Sequence, residues 1–491
     1  MATLHPVPVI DSVECIEDVV AKVVQECQNG LPSRVLYLAT EASWCELSER
    51  ITHYADCVEA PYSCRETGID VWVARAIVTV EWLAGSVLVC GHRIGPATPA
   101  DHDHMVPPPE GAAEVWKQAE RLMELVSTGG PTEEPGRIAG LLKHDSWLVA
   151  TLASDVLNRM GIPAVPQFVC DYEPDLELND PAATSKRPVD GRFTETWESR
   201  ISVDEYALFE ATHPAYAVQM VELGRMVRTY SRQLADSILD VGSGPGLSTV
   251  MLAEMFPDAE IDAVEPSKAA FPHLLRNTSR HHITAHNTGI TEFSGRNDYP
   301  LTVSVGASHH LDTRMFLRGM KRHTAQGGLI IVADEMIAKF RSAAERSRII
   351  TDHHFAYIEQ ALAHIREEDL PLAEQRRLRA IRDVDRRAPG ALHKLLDEVR
   401  LERFFYRGND SPWHRVRFTV LELEALVAGI DYDVERKTYP ENFMTLAEDE
   451  GLEVIGHKRV HATLGTSDLD AGTHVFALRN GRPSDVTIGP S

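Results

Sequence analysis

A chain of 491 residues is long for one domain and suits two, each able to bury its own core. The formal net charge of −24 argues for a soluble protein and against unaided binding to nucleic acid or anionic membrane. No apolar run approaches the roughly 20 residues of a membrane helix, and residues 1–30 lack a charged-then-apolar signal, so the expected location is cytoplasmic.

The first part of the chain predicts a strand over Arg34 to Leu38, a long apolar helix over Val71 to Val89, a Pro-rich loop over Gly95 to Pro109, and helices over Glu114 to Val126 and Asp145 to Met160. It matches no recognised motif. All seven cysteines (Cys15, Cys27, Cys45, Cys57, Cys64, Cys90 and Cys170) lie here. Their odd number argues against a disulfide framework, and none stands in the close pairs a zinc site uses. They are expected to be buried structural thiols. Asp101-His-Asp-His104 has metal-ligand residue types but sits beside three prolines with no partner cluster, which favours a solvated loop, and no metal is expected. Residues 171–200, rich in Asp, Glu, Pro and Thr, read as a linker. An N-terminal domain over 1–170 and a second domain over 201–491 follow.

Ser237-Ile-Leu-Asp-Val-Gly-Ser-Gly-Pro-Gly-Leu-Ser248 carries the most information. Apolar residues with one Asp read as a short buried strand, three alternating glycines as a turn, and Leu247 to Phe256 as a helix. Such a turn lets backbone approach a ligand closely, because no side chain blocks it. The spacing is G-x-G-x-G, with no following Lys, so a pyrophosphate is not the expected guest. A second strand, Ala259 to Val264, ends in Glu265, 19 residues beyond the last glycine. A carboxylate there suits two ribose hydroxyls.

Asp240-Val-Gly-Ser-Gly-Pro-Gly246, followed by Ala263-Val-Glu265-Pro-Ser, resembles the first two motifs of the class I S-adenosylmethionine-dependent methyltransferases. A generic nucleotide-binding unit with another adenosyl ligand is the alternative reading. The resemblance implies a doubly wound α/β sheet with an antiparallel C-terminal strand pair, and S-adenosyl-L-methionine as cofactor. The cofactor site it implies comprises Asp240, Gly242, Ser243, Gly244, Gly246, Glu265 and Pro266, with Gly289, Ile290, Ser308 and Tyr216. One departure is visible: Gly289 stands where the family usually has an acid for the adenine amine, leaving the backbone of Gly289 and Ile290, or Glu292, to serve. Before the first strand, residues 205–216 resemble helices that close over the cofactor in related enzymes. Tyr206, Phe209 and Tyr216 there are expected either in the core or around the sulfonium.

Strands are expected near 237–241, 260–264, 282–286, 301–305 and 328–333, alternating with helices as βαβ units do. A helix over 441–451, a strand over 453–462, a turn over 467–472 and a strand over 473–478 close the domain. Residues 336–440 exceed a simple crossover. Helical periodicity over 343–364, 371–387 and 390–405 reads as a lid over the carboxyl ends of the strands. The arginines between Arg366 and Arg417 interleave with acids and read as a solvated helical face.

Candidate catalytic groups follow the strands. His309 and His310 end the fourth strand, in an "HHL" similar to that of small-molecule methyltransferases; they read either as a base facing the substrate, with His309 preferred, or as residues that merely shape the turn. Glu335, after Asp334, ends the fifth. In the lid, His353, His354 and Tyr357 share a helical face and read either as a substrate wall or as helix surface. The expectation is methyl transfer to a small molecule, as in bacterial natural-product enzymes, without nucleic acid or membrane partners; a homodimer stays open. Two alternatives accompany it. One is intramolecular cyclisation of the cofactor to azetidine-2-carboxylate and methylthioadenosine. The other is a non-catalytic cofactor-binding or partner subunit.

Overall fold

The computed structural model describes residues 16–28, 33–38, 41–58, 62–65, 68–73, 76–83, 86–93, 105–128, 135–170, 203–231, 233–399, 411–430 and 435–481. The linker 171–200 and the Asp101–His104 cluster lie outside them. The chain divides into two compact units, residues 1–103 with Ile455–His457, and residues 104–454 with 458–491.

The first unit contains α1 (Ile16–Gln28), β1 (Ser33–Leu38), α2 (Glu41–Cys57), β2 (Tyr62–Arg65), β3 (Gly68–Val73), β4 (Ala76–Leu83) and β5 (Ser86–Arg93). Its antiparallel sheet has the order β1-β5-β4-β3-β2. The expected helix over 71–89 is thus three strands. Val71, Val78, Val80, Val87 and Val89 are all buried, and the paired residues of each strand alternate faces, so a period of two wins over overall apolarity. Val19, Val20, Val23 and Val24 of α1 and Trp44, Leu47, Ile51 and Ala55 of α2 complete this core. Cys45, Cys57 and Cys64 are exposed free thiols, not buried ones, because they fall on the outer side of α2 and on the edge strand β2.

The second unit opens with helices α3 (Ala113–Thr128), α4 (Pro135–Gly140), α5 (Trp147–Arg159) and α6 (Gln167–Cys170). These helices were expected in the N-terminal domain, yet they belong to the larger unit. The Trp116 indole donates to Met255 O and meets Phe256 edge-on, while Glu254 accepts from Ser146 Oγ and from the N–H groups of Trp147 and Leu148, at the N-terminus of α5. The boundary therefore lies near Asp103 instead of 170.

Then follow α7 (Val203–Thr212), α8 (Tyr216–Tyr230), β6 (Ser237–Val241), α9 (Leu247–Met255), β7 (Glu260–Val264), α10 (Phe271–Thr278), β8 (Ile283–His286), β9 (Tyr299–Val305), α11 (Thr313–His323) and β10 (Thr324–Met336). The lid comprises α12 (Ala343–Leu362), α13 (Leu372–Asp383), α14 (Ala391–Val399) and α15 (Ser411–Ile430), and α16 (Pro440–Asp449), β11 (Leu452–Ala462) and β12 (Gly472–Asn480) close the chain. The seven strands are ordered β11-β12-β10-β9-β6-β7-β8, with β6 to β10 parallel and β12 antiparallel to β10. Every residue of β6 is buried, as expected of a central strand covered on both faces. The order reverses between β6 and β9, and ligands of open α/β sheets bind at such a switch point.

The lid has its own core, with Ile350, Phe355, Leu378, Leu395, Val416, Val420 and Leu423 among its members. The sequence reading missed α15. Arg415, Arg417, Glu422 and Glu424 interrupt its apolar pattern, yet all four are buried. The solvated-face reading holds for Arg366 and Arg379, which pair with Asp369 and Glu367 on the surface, but Arg415 is inside and donates to Thr212 O and Ala164 O.

Candidate active site

The glycine turn after β6 is built by three left-handed residues, Gly242, Gly244 and Gly246, with φ of 74°, 53° and 97°. Two of them are needed for packing: a Cβ on Gly242 would stand 2.4 Å from Ala307 Cβ, and one on Gly246 2.9 Å from Leu274 Cδ1. Gly244 differs. A Cβ there would meet only Glu210 Oε1 at 3.8 Å, so the turn borders open space.

Glu265, at the tip of β7, accepts from Gly244 N–H and Ser267 N–H, both at 2.7 Å. Asp240 is buried under the turn and accepts from the Thr249 hydroxyl at 2.6 Å; burial pushes its pKa up to about 6. Ser243 Oγ donates to Asp240 O. Asp240 and Ser243 thus brace the turn. Pro266 is half-buried. Asn287, which sequence reading passed over, donates to Glu265 O and fixes the tip of β7 from the end of β8. The Ile290 side chain is core, against Gly319 of α11, so only backbone of the Gly289–Ile290 turn is available to a ligand.

Over the turn stands Glu210 of α7. Its Oε1 accepts from Tyr216 OH at 2.7 Å, and its Oε2 has no hydrogen-bond partner among the described residues. Burial, with Asp240 and Glu265 nearby, pushes its pKa up to about 8 against the Tyr216 hydrogen bond. The folded protein therefore holds this proton over a range where the unfolded chain has released it. Stability due to Glu210 is full below its ordinary pKa of 4.5 and is lost as pH rises towards 8. Glu210→Gln should flatten the fall in thermal midpoint across that window; an unchanged slope would show that Glu210 does not carry it.

The turn after β9 supplies the second half. Ser308, expected at the cofactor, instead anchors Asp334: its N–H donates at 2.8 Å and its hydroxyl also donates to the same Oδ2. Asp334 accepts as well from Glu335 N–H at 2.7 Å and from His309 Nδ1 at 2.9 Å. Burial opposes its charge, but His309 and these donors prevail and hold its carboxyl below the usual range. The His309 tautomer follows from this partner: Nδ1 carries the proton and Nε2 its lone pair. Burial disfavours the charged ring, yet Asp334 outweighs it and raises the His309 pKa. The His310 ring lies tilted against that of His309, centroids 4.2 Å apart, and burial and that neighbour push its pKa well below the ordinary value.

A cavity of ≈ 50 Å³ lies between these turns and the lid, lined among others by Tyr206, His213, His309, Glu335, His354 and Lys437. That holds a few waters and no substrate, so binding requires the lid helices to shift. Of the expected lid wall only His354 reaches the cavity. His353 Nδ1 contacts Thr463 Oγ1, and Tyr357 OH contacts Thr473 Oγ1, both inside the protein.

Three groups absent from the expected site complete it. Lys437 Nζ lies 2.6 Å from Glu335 Oε2 and 3.5 Å from Glu435. His213 Nε2 lies 3.2 Å from Glu335 Oε1, and Glu422 pairs with His354 at 2.7 Å. Burial opposes ionisation of Glu335, but Lys437 and the surrounding imidazoles overcome it and hold the carboxyl well below the usual range. His213, Glu335 and Glu422 bring ligand-type atoms within 4.8 Å of one another. Ala215 N–H, however, donates to His213 Nδ1, which leaves the proton on Nε2, facing Glu335. With Lys437 on the other oxygen, this is a hydrogen-bonded ion-pair network and not a ligand set.

Residues 238–328 match the family described as a methyltransferase domain. Over 122 residues the chain is 26% identical to the tRNA1(Val) (adenine(37)-N6)-methyltransferase of Pseudoalteromonas translucida (strain TAC 125), covering 24% of this chain and 53% of that relative. The chain thus spans about half the length of the curated relative it matches. Among solved structures, the N-methyltransferase NodS from Bradyrhizobium japonicum WM9, in complex with S-adenosyl-L-homocysteine, aligns over 60% of this chain and 100% of its own, at 13% identity and a TM-score of 0.33. The geranyl diphosphate C-methyltransferase from Streptomyces coelicolor A3(2) aligns over 61% and 88%, at 11% identity and a TM-score of 0.31. The match to a methyltransferase domain thus falls on the segment 238–328, which carries the glycine turn and strands β6 to β9 of the seven-stranded sheet.

Proposed function

We propose that the protein transfers a methyl group from S-adenosyl-L-methionine to a small molecule held beneath the lid, with His309 as the base. The observation that carries this reading is the His309–Asp334 pair, set beside an open glycine turn at the switch point of the sheet. The residues present suit the cofactor. The space over Gly244 accepts a close approach, Glu265 places a carboxylate at the tip of β7 beside that turn, and the orphaned Glu210 oxygen suits an ammonium group. When bound, the cofactor supplies an electrophilic methyl group on a sulfonium. The chain's contribution is then to orient the acceptor, exclude water and take one proton at His309 Nε2.

A small acceptor is favoured over RNA by the net charge of −24 and by a base that lines a cavity bordered by α12 and α15 of the lid. The direct test incubates the full chain with methyl-labelled cofactor and either a metabolite extract or bulk tRNA. Label in the small-molecule fraction with S-adenosylhomocysteine as by-product is expected. Label in the tRNA would overturn the substrate class, and methylthioadenosine as by-product would overturn the reaction. Glu265→Ala should weaken cofactor binding by about 2–3 kcal/mol, the scale for losing charge-assisted hydrogen bonds in a buried site. Unchanged affinity by calorimetry would place the ribose elsewhere.

A further inference from the structure

Of the four histidines that line the cavity, two have Nδ1 held by a buried carboxylate: Asp334 for His309 and Glu422 for His354. The pairs look alike, but the donors around the carboxylates differ. Asp334 receives Ser308 N–H, the Ser308 hydroxyl, Glu335 N–H and His309. That is a full complement for a buried anion. Glu422 is completely buried, its Oε1 meets only His354, and its Oε2 has no hydrogen-bond partner among the described residues. An uncompensated buried carboxylate gains by keeping its proton.

The charges facing Glu422 act in the same direction. Glu335 of β10 and Glu435 before α16 are acids; Lys437, the cation nearby, is already held by both; His213 from the end of α7 turns Nε2 towards Glu335. Burial and these acids together raise the Glu422 pKa well above the ordinary value, and burial lowers that of His354. The Glu422 proton belongs on Oε1, where His354 Nδ1 accepts it, because Glu422 does not line the cavity and a proton on Oε2 would stay without an acceptor, whereas His354 lines it and a ligand can supply one. The imidazole proton of His354 is then on Nε2, a buried atom with no hydrogen-bond partner among the described residues, on a ring that lines the cavity. The two rings present opposite chemistry to one pocket, a lone pair at His309 and an N–H at His354, and such divergence separates acid from base roles in active sites.

We propose that His354 is the fixed hydrogen-bond donor of the pocket, holding a carbonyl-type oxygen of the methyl acceptor while His309 faces the nucleophile on the same molecule. The inference rests on the methyl-transfer reading and narrows its substrate class to acceptors that carry such an oxygen beside an O–H, N–H or acidic C–H. In the reaction, the nucleophile's proton passes to His309 Nε2 as its bond to the methyl carbon forms. The electron pair of the broken carbon–sulfur bond stays on sulfur. His354 keeps its proton and stabilises charge on the held oxygen.

The first test needs no substrate. In the full chain with ¹⁵N-labelled histidine, two-bond ¹H–¹⁵N spectra, assigned with His354→Gln and His309→Gln, should show a protonated Nε2 and a bare Nδ1 in His354, and the reverse in His309. A bare Nε2 in His354 would overturn the proposal whatever the activity. The second test compares partners in turnover. Glu422→Leu leaves Nδ1 without its donor and should lower kcat by about tenfold to a hundredfold. Glu422→Gln, whose amide donates to Nδ1, should recover most of that loss. Asp334→Asn offers His309 the wrong partner and should stay depressed by about 10²–10⁴-fold. If Glu422→Gln falls as far as Asp334→Asn with thermal midpoints unchanged, the two pairs are equivalent and His354 is not the donor. Absence of any methyl transfer in the wild type would sink the functional reading alone, since the spectra still decide the tautomer.

Discussion

Replacing His309 by alanine should lower turnover by about 10²–10⁴-fold, the usual contribution of a positioned base, while cofactor affinity stays within about 0.5 kcal/mol, as for a residue outside that contact. The expectation follows from geometry. Asp334 is fixed by backbone and hydroxyl donors and holds Nδ1–H, so Nε2 is the ring atom left to accept a proton. The pH profile supplies the sign. The base must be neutral, and Asp334 raises the His309 pKa above its ordinary 6.5. Turnover should therefore climb with pH through an apparent pKa above that value. In His309→Ala the climb should vanish along with the rate. Near-full activity in this variant would assign the base to another group, and His310, beside it in the cavity wall, would be the next to test.

Lys437→Met should be the most destabilising single change in the site, by about 3–5 kcal/mol, the range for leaving one member of a buried ion pair uncompensated. Lys437 is nearly inaccessible and neutralises Glu335 at 2.6 Å and Glu435 at 3.5 Å. Urea denaturation should show a lower midpoint at an unchanged slope. Glu335→Gln in the same chain should restore part of the loss, because the stranded charge is then gone. A midpoint within error of the wild type would mean that water reaches the pair. The pH response adds a check. Because Glu335 is held below its ordinary pKa, its contribution is present above that value and fades as pH falls through the depressed folded pKa. Acid should thus unfold the wild type in a way that Lys437→Met partly lacks.

The parallel half of the sheet was legible because local rules and tertiary context agree there. Ser237–Val241 is a short apolar run closed by glycines, and it forms a fully buried strand with three left-handed residues after it. Residues 71–89 misled because valine-rich strands close together in sequence carry the same mean apolarity as a helix; only the alternation of Val78 and Val80, and of Val87 and Val89, separates them. Half of the site was also legible. His309, Glu335 and His354 do meet around one cavity, since two end adjacent strands and the third sits on the first lid helix. Lys437, Glu435, Glu422 and His213 were not, for a physical reason: a charged residue in a sequence reads as surface unless its partner is known. Lys437 is 102 positions from Glu335, and Glu422 is 68 from His354. The Ser308–Asp334 contact was hidden for the same reason, because Asp334 lies on the next strand.

The central claim is that the glycine turn of this domain binds S-adenosylmethionine at its open position. Calorimetric titration of the full chain with S-adenosylhomocysteine, wild type beside Gly244→Val, tests it most directly. Gly244 has a φ of 53° and faces open space, so a β-branched side chain both strains the turn and fills the approach. Saturable binding of one ligand per wild-type chain, lost in a Gly244→Val protein with unchanged circular dichroism, is the predicted result. A wild type that takes up no ligand, or a folded Gly244→Val that binds as tightly, would contradict the account.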